Sequence, residues 1–269
     1  MDIRAVKFRV GSQWRVGGLY RPMGAAVTPG VILFHGFPGV QQNEDMAAEL
    51  CRRGLTVFLP HFRGSWGSGG RWEIGGLLTD ARAAVKLLSK YHGVDPWRIG
   101  LLGYSLGGWI ALRLAAEVRV AAAAVLAPAF PRTNEAGDRA YIRKNGRVVA
   151  MGPLAQVWSD YLRAAQEDHP GEYLRKISPT PLLFVQGMKD RLVPPASTAA
   201  LFALARLPKE LLELKSEDHE FQADRAGVVA AVCGWLVSRL TGPEPEAEGE
   251  EEDPARDEAL DFIDIGAGD

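Results

Sequence analysis

Gly103-Tyr104-Ser105-Leu106-Gly107 joins an apolar run, Trp97-Arg98-Ile99-Gly100-Leu101-Leu102, to an Ala/Leu-rich helical stretch from Gly108 to Glu117. A strand that turns sharply into a helix lifts the residue at the bend clear of the sheet, and a Gly-x-Ser-x-Gly bend of this kind is a nucleophile elbow. A serine hydroxyl attacks a carbonyl poorly unless it stands beside a base and near backbone N–H donors, which is the setting an elbow supplies. The glycines serve the turn. A Cβ at position 103 or 107 would press on the adjoining strand or helix while Ser105 holds a strained conformation that exposes its Oγ.

Outward from the elbow, strand-like and helix-like segments alternate. Residues 6–10 and 14–20 read as two opening antiparallel strands. Apolar runs follow at Gly30–Phe37, Leu55–Phe62, Trp97–Ser105, Ala121–Pro128, Pro181–Gly187 and Glu210–Lys215. These runs are short and apolar on both alternating sets of positions, as expected of strands covered on both faces by crossover helices, here placed near 42–53, 75–91, 106–117, 195–206 and 224–239. Right-handed crossovers then give a doubly wound, mostly parallel, eight-stranded α/β sheet with ligands gathered at the carboxyl ends of its strands. The interval from Pro131 to Ser178 is too long for a plain crossover and predicts an inserted lid. Within it, Tyr141-Ile142-Arg143-Lys144 and Arg147-Val148-Val149 flank Asn145-Gly146, which predicts a hairpin with a type I′ turn. Gly152-Pro153-Leu154 then opens an amphipathic helix through Trp158, Tyr161 and Leu162.

Acyl transfer by serine needs a base to take the hydroxyl proton, an acid to hold that base in one tautomer, and donors for the oxyanion. Asp190 stands just past one strand, in Gly187-Met188-Lys189-Asp190-Arg191-Leu192-Val193-Pro194. His219 stands past the next, in Ser216-Glu217-Asp218-His219-Glu220-Phe221. The order Ser, Asp, His is the one this topology uses when the nucleophile leads. A second reading of Asp190, as a turn or capping carboxylate ahead of Val193-Pro194, stays open. Glu217 and Asp218, as immediate chain neighbours of His219, read as solvated loop charges.

With these motifs in hand, residues 3–240 resemble the α/β-hydrolases. The resemblance implies Ser105 as nucleophile, His219 as general base and then acid, and Asp190 as the residue that orients His219. His35-Gly36-Phe37-Pro38-Gly39 is similar to the family's oxyanion loop, which implies the backbone N–H groups of Phe37 and Leu106 as donors. Some family members carry the acid after the sixth strand, where this chain has Ala127-Pro128-Ala129-Phe130 and no carboxylate. Pro60-His61-Phe62-Arg63-Gly64-Ser65-Trp66-Gly67-Ser68-Gly69-Gly70 is similar to the family's Arg-Gly loop, with His61 where an acid often stands; for His61 a pocket-wall and a surface role both stay open. His35 reads as a brace of the oxyanion loop, with a base as the alternative, and as a candidate border of the substrate pocket; Trp66, Trp72, Trp109 and Trp158 are candidate aromatic walls of that pocket, with a place in the core as the alternative. The compact insert resembles that of cinnamoyl or feruloyl esterases, and the Phe62–Gly69 loop that of acylaminoacyl-peptidase-like hydrolases without their propeller.

Composition is ordinary for a soluble enzyme: of 269 residues, 47% are apolar and 9% aromatic. No run is long enough for a membrane helix, and no secretory signal is visible at Met1–Lys7. Cys51 and Cys233 read as two buried thiols of a reducing, cytoplasmic setting. His61, His92 and His169 lack partners at metal-ligand spacing, and the glycines after Arg63 lack a following Lys-Ser/Thr, so no metal and no cofactor is expected.

Charge is partitioned. From Thr241 to Asp269 twelve acids stand against Arg256 alone, a net of −11, which leaves the 30 Lys/Arg and 21 Asp/Glu of residues 1–240 at +9. The basic residues are scattered rather than clustered, which argues against nucleic acid. Residues 1–240 are therefore expected to form the hydrolase domain, with 131–178 as its lid and 241–269 as an acidic tail, disordered over Gly242–Glu258. Ala259–Ile265 regains apolar residues and reads either as a short tethered docking peptide or as part of a solubilising tail. The expected activity is hydrolysis of small or medium esters, with short peptides or amides as the alternative substrate and a non-catalytic scaffold that uses the tail as the alternative of another class.

Overall fold

The computed structural model describes residues 1–37, 42–131, 136–242 and 262–265. The sheet opens with two antiparallel strands, β1 (Asp2–Val10) and β2 (Gln13–Arg21). Six further strands follow: β3 (Thr28–Phe34), β4 (Thr56–Pro60), β5 (Val94–Tyr104), β6 (Ala122–Leu126), β7 (Leu182–Gly187) and β8 (Lys209–Leu214). Their order across the sheet is β8-β7-β6-β5-β3-β4-β2-β1, with parallel pairing from β8 to β4 and antiparallel pairing of β4, β2 and β1. All eight expected strands are present. A ninth, β9 (Phe262–Ile265), adds antiparallel to β1 with Ile265 opposite Ala5 and Phe262 opposite Phe8.

The apolar runs explain why the sheet is buried on both sides. Along β3, Ile32 and Phe34 enter one core with Phe58, Leu101 and Phe184, while Val31 and Leu33 enter the other with Val57, Leu102 and Val185. The first core is covered by α2 (Ile74–Ser89) and α3 (Leu106–Ala115). The second is covered by α1 (Glu44–Arg52) and α8 (Arg225–Leu240). Because side chains alternate across a strand, a run apolar at every position faces both layers at once. β3 leads out to β4 on one side and the chain returns to β5 on the other, so the strand order reverses there, and Ser105 stands at that switch point.

The insert is helical. It contains α4 (Ala136–Asn145), a 3-10 turn (Gly146–Val148), α5 (Leu154–Glu167), α6 (Pro170–Tyr173) and a second 3-10 turn (Leu174–Lys176), before α7 (Pro195–Leu204) completes the helices between β7 and β8. The hairpin expected around Asn145-Gly146 is corrected: Asn145 is right-handed helical (φ −92°, ψ −17°), not the positive-φ residue of a type I′ turn. Its side-chain amide donates to the Tyr141 carbonyl at 3.0 Å and closes α4. Arg143 and Lys144 lie in the last turn, where cations complement the helix dipole.

Two buried carboxylates tie the insert and the post-β4 loop to the body. Asp168 accepts from Trp109 Nε1 (2.9 Å), Arg113 (3.1 Å) and Tyr173 Oη (3.3 Å). Asp80, on α2, takes Arg63 through two guanidinium contacts (3.0 and 2.9 Å) and its backbone N–H (2.8 Å), and lies 3.0 Å from Arg15 Nε. The low-complexity stretch expected over 242–258 lies, apart from Gly242, outside the described residues.

Candidate active site

β5 delivers Ser105 at its carboxyl end and α3 begins at the next residue. Ser105 has φ 53° and ψ −121°, a region that L-residues rarely occupy and that persists only where surroundings enforce it. Here they do. Its N–H donates to the Leu126 carbonyl at 2.8 Å, and its own carbonyl accepts from Gly108 (2.8 Å) and Ala129 (3.0 Å), pinning the bend between β6 and α3. A Cβ on Gly103 would stand 2.3 Å from the Gly107 carbonyl oxygen, and one on Gly107 only 2.1 Å from that of Phe34. Both glycines are therefore steric requirements of the elbow.

The loops after β7 and β8 bring the other two expected residues to this serine. His219 Nε2 lies 3.1 Å from Ser105 Oγ, and Nδ1 lies 2.8 Å from Asp190 Oδ2. All three residues are buried, at 7% (Ser105), 4% (Asp190) and 6% (His219) exposure, so the contacts compete little with water. Asp190 carries out both jobs weighed for it. Oδ1 accepts the N–H groups of Leu192 and Val193 at 2.8 Å each, closing the turn, which leaves Oδ2 for the imidazole. Since a carboxylate only accepts, Nδ1 carries the proton and Nε2 presents its lone pair to Ser105.

Glu217 is a correction. It is 1% exposed rather than solvated, and its carboxylate accepts the N–H groups of Ala223 (3.0 Å) and Asp224 (2.6 Å), folding the histidine loop back on itself. Its carbonyl accepts Lys189 N–H at 2.9 Å, which locks the histidine loop to the aspartate loop. Gly187 allows this approach, because a Cβ there would stand 2.5 Å from the Asp218 carbonyl oxygen. Asp218 is exposed, as expected. Tyr104, inside the elbow motif, donates to the His219 carbonyl at 3.1 Å and lies tilted under its ring at 5.2 Å. Burial beside Glu220 pushes the Tyr104 phenol well up, so it remains a donor. Neither role was legible in advance; the signal for Glu217 was only its place two residues before His219.

The loop after β3 passes against the serine: a Cβ on Gly36 would lie 3.2 Å from Ser105 Cβ. Phe37 follows Gly36 there, and Leu106 is the first residue of α3, where helix N–H groups point outward. Pro38 and Gly39 of that loop lie outside the described residues. His35 is fully buried, at 0% exposure, which removes it from the pocket surface to which it was assigned. Its Nε2 accepts the Phe62 N–H at 3.2 Å, so Nδ1–H donates to the Gly36 carbonyl at 2.7 Å. Burial pushes this imidazole down to about 3, keeping it neutral and fixed as a brace between the two loops.

The expected aromatic walls divide. Trp109 is corrected to a structural role, since it is buried at 4% exposure with its N–H committed to Asp168. Trp66, at φ 37°, packs edge-on to His35 (4.5 Å) and His61 (5.2 Å), and His61 bonds the Trp66 carbonyl through Nδ1 at 3.2 Å, so both brace the post-β4 loop. Trp158 is half-buried and stacks on Tyr161 at 5.0 Å. Trp72, the fourth candidate, is buried at 1% exposure with its ring 4.7 Å from that of Phe37, and Tyr141, which was not expected there, lies 5.7 Å from Phe37. Among the described residues no cluster of His, Cys, Asp or Glu is arranged to hold a metal, and no helix is long and apolar enough to cross a membrane.

A mostly parallel sheet with helices on both faces and an elbow at its switch point is the α/β-hydrolase fold. Comparison with known proteins agrees. Residues 42–242 match the prolyl oligopeptidase family (Peptidase_S9), and the chain belongs to that family. It is 31% identical over 208 residues to the uncharacterised protein Rv2307c of Mycobacterium tuberculosis H37Rv, covering 76% of this chain and 68% of that one. Among solved structures it is similar to the α/β hydrolase GrgF from Penicillium sp. sh18 (TM-score 0.74, 20% identity, 90% of this chain and 100% of that one). It is also similar to Est1E from Butyrivibrio proteoclasticus with ferulic acid bound (TM-score 0.71, 20% identity, 87% and 99%). At these identities the structural likeness is one of fold.

Proposed function

We propose that this protein is a cofactor-independent serine hydrolase that cleaves carboxylic esters of small to medium acyl groups. The observation that carries the reading is the continuous path from Asp190 Oδ2 through His219 to Ser105 Oγ, at 2.8 and 3.1 Å. As Oγ bonds to the substrate carbonyl carbon, its proton passes to Nε2, and the imidazolium so formed is held by the Asp190 carboxylate. The carbonyl oxygen becomes an oxyanion facing the N–H groups of Phe37 and Leu106, each such donor being worth about 3 kcal/mol in the barrier. Collapse breaks the bond to the alcohol, which leaves with the proton from Nε2. Water then attacks the acyl-enzyme by the same route and releases the acid and free Ser105.

Residues 1–240 act as the catalytic domain and the helical insert 131–178 as the lid over its site. The rings of Phe37 and Tyr141, edge-to-face at 5.7 Å, give the acyl side an aromatic wall, which suits an aromatic acid such as the one bound to Est1E. Two free, buried thiols, Cys51 and Cys233, suit a cytoplasmic setting. Membership of the prolyl oligopeptidase family favours a second reading, a small peptidase or amidase using the same three residues. A panel of p-nitrophenyl esters against aminoacyl and acylaminoacyl anilides separates the two. Faster turnover of esters supports the first, and turnover of anilides alone reverses the order.

A further inference from the structure

The sheet has two ends, and one of them is covered in an unusual way. β1 pairs with β2 on one side; on the other, among the described residues, it pairs with the four residues of β9. Without β9, β1 would offer a row of free N–H and C=O groups, the feature that recruits extended segments from other chains. The covering strand lies beyond a long acidic connection. Residues 243–261 hold ten acids and Arg256, enough chain to reach on the order of 60 Å when extended. The edge it reaches is net basic, although Asp2 of β1 takes Arg4 at 2.7 Å. β1 carries Arg4, Lys7 and Arg9, with Lys7 and Arg9 set over the Trp14 ring of β2 at 4.7 and 5.5 Å.

We infer that Phe262–Ile265 is a removable cover of the β1 edge, supplied by the same chain, and that its release opens that edge to strand pairing with a second copy. Four paired residues gain few ladder bonds against the entropy of ordering them, so the cover exchanges between docked and free forms. Tethering favours docking despite weak pairing, because belonging to the same chain makes the strand's binding intramolecular, at an effective concentration set by the 19 residues between Gly242 and Phe262. The opposite net charges of residues 243–261 and of Lys7 and Arg9 on β1 favour docking further, in a way that salt screens.

Hydrogen exchange read by mass spectrometry on the full chain and on Ile263→Pro tests this. Proline locks φ near −65°, away from the roughly −140° of an antiparallel strand, and so disfavours the extended pairing of Phe262–Ile265 with β1. In the native chain, amides of 262–265 and of β1 should exchange about tenfold more slowly than in Ile263→Pro, less so at high ionic strength. The variant should also self-associate at lower concentration in sedimentation runs, with its thermal unfolding unchanged. The inference is overturned if amides of 262–265 exchange at the rate of a free peptide, or if Ile263→Pro alters neither β1 exchange nor association. Protection that rises with protein concentration also overturns it, by assigning the occupant to a second copy.

Discussion

Replacing Asp190 by asparagine separates its two jobs. Oδ1 receives two N–H donors, from Leu192 and Val193 at 2.8 Å each, and Oδ2 receives one, from His219 Nδ1. An asparagine has one acceptor end and one donor end, so it must choose. Turning the amide oxygen toward His219 would set its NH2 against two N–H donors and strand the buried one of Val193 at about 1–3 kcal/mol, whereas the opposite choice sacrifices one contact. The oxygen therefore stays with the turn and the NH2 faces Nδ1. His219 must then accept at Nδ1 and carry its proton on Nε2, where it points at Ser105 Oγ and cannot act as a base. Turnover of a p-nitrophenyl ester should fall about 10⁴-fold, roughly 5.5 kcal/mol in the barrier, with the urea midpoint nearly unchanged. Asp190→Ala should lose both turnover and stability, since it strands the Leu192 and Val193 donors. Retention of more than about a tenth of the native turnover by Asp190→Asn would refute this reasoning.

Three further outcomes follow from the same geometry. Gly107→Ala puts a methyl 2.1 Å from the Phe34 carbonyl oxygen and should destabilise the fold by about 3 kcal/mol or more in urea titration; an unchanged midpoint contradicts the steric account of the elbow. Glu217→Ala removes the acceptor of the Ala223 and Asp224 N–H groups and frees the histidine loop, so kcat should drop far more than KM changes, together with a loss of about 1 kcal/mol in stability. Equal effects on kcat and KM would count against its loop-locking role. His35 is held neutral with a folded pKa of about 3 against 6.5 unfolded, so between these values the unfolded chain binds the extra proton. Its contribution is present above pH 6.5 and is lost as pH falls, by up to about 1.4 kcal/mol per unit. The half-buried His61, also pushed down by burial, adds in the same direction. Urea midpoints measured from pH 7 to 5 should therefore decline less steeply in His35→Asn than in the native chain, and parallel declines would contradict this.

The fold was legible because burial on both faces writes itself into sequence. Val31-Ile32-Leu33-Phe34 is apolar at every position, and only a strand with helices on both sides needs that. The elbow was legible because its glycines are steric necessities, and Asp190 and His219 because topology sends the loops after β7 and β8 to the same rim. Where reading failed, short-range cues competed. Asn145-Gly146 serves a type I′ turn or the end of a helix equally well, and what decided was Ile142 packing into the core at 3% exposure and the Asn145 amide bonding Tyr141. Glu217 looked solvated because its partners, the N–H groups of Ala223 and Asp224, are backbone and leave no trace in residue identity. Trp109 and His35 looked like pocket residues by proximity to Ser105 in the chain or loop, but each points its polar atoms into buried partners instead.

The proposed chemistry requires Ser105 Oγ to be a nucleophile activated by His219. A fluorophosphonate probe tests it most directly, read by intact mass and by mapping the modified peptide. One adduct per chain on the peptide holding Ser105, absent in Ser105→Ala and strongly slowed in Asp190→Asn, is the predicted result. An unmodified native protein, or an adduct on another residue that survives Ser105→Ala, would contradict it.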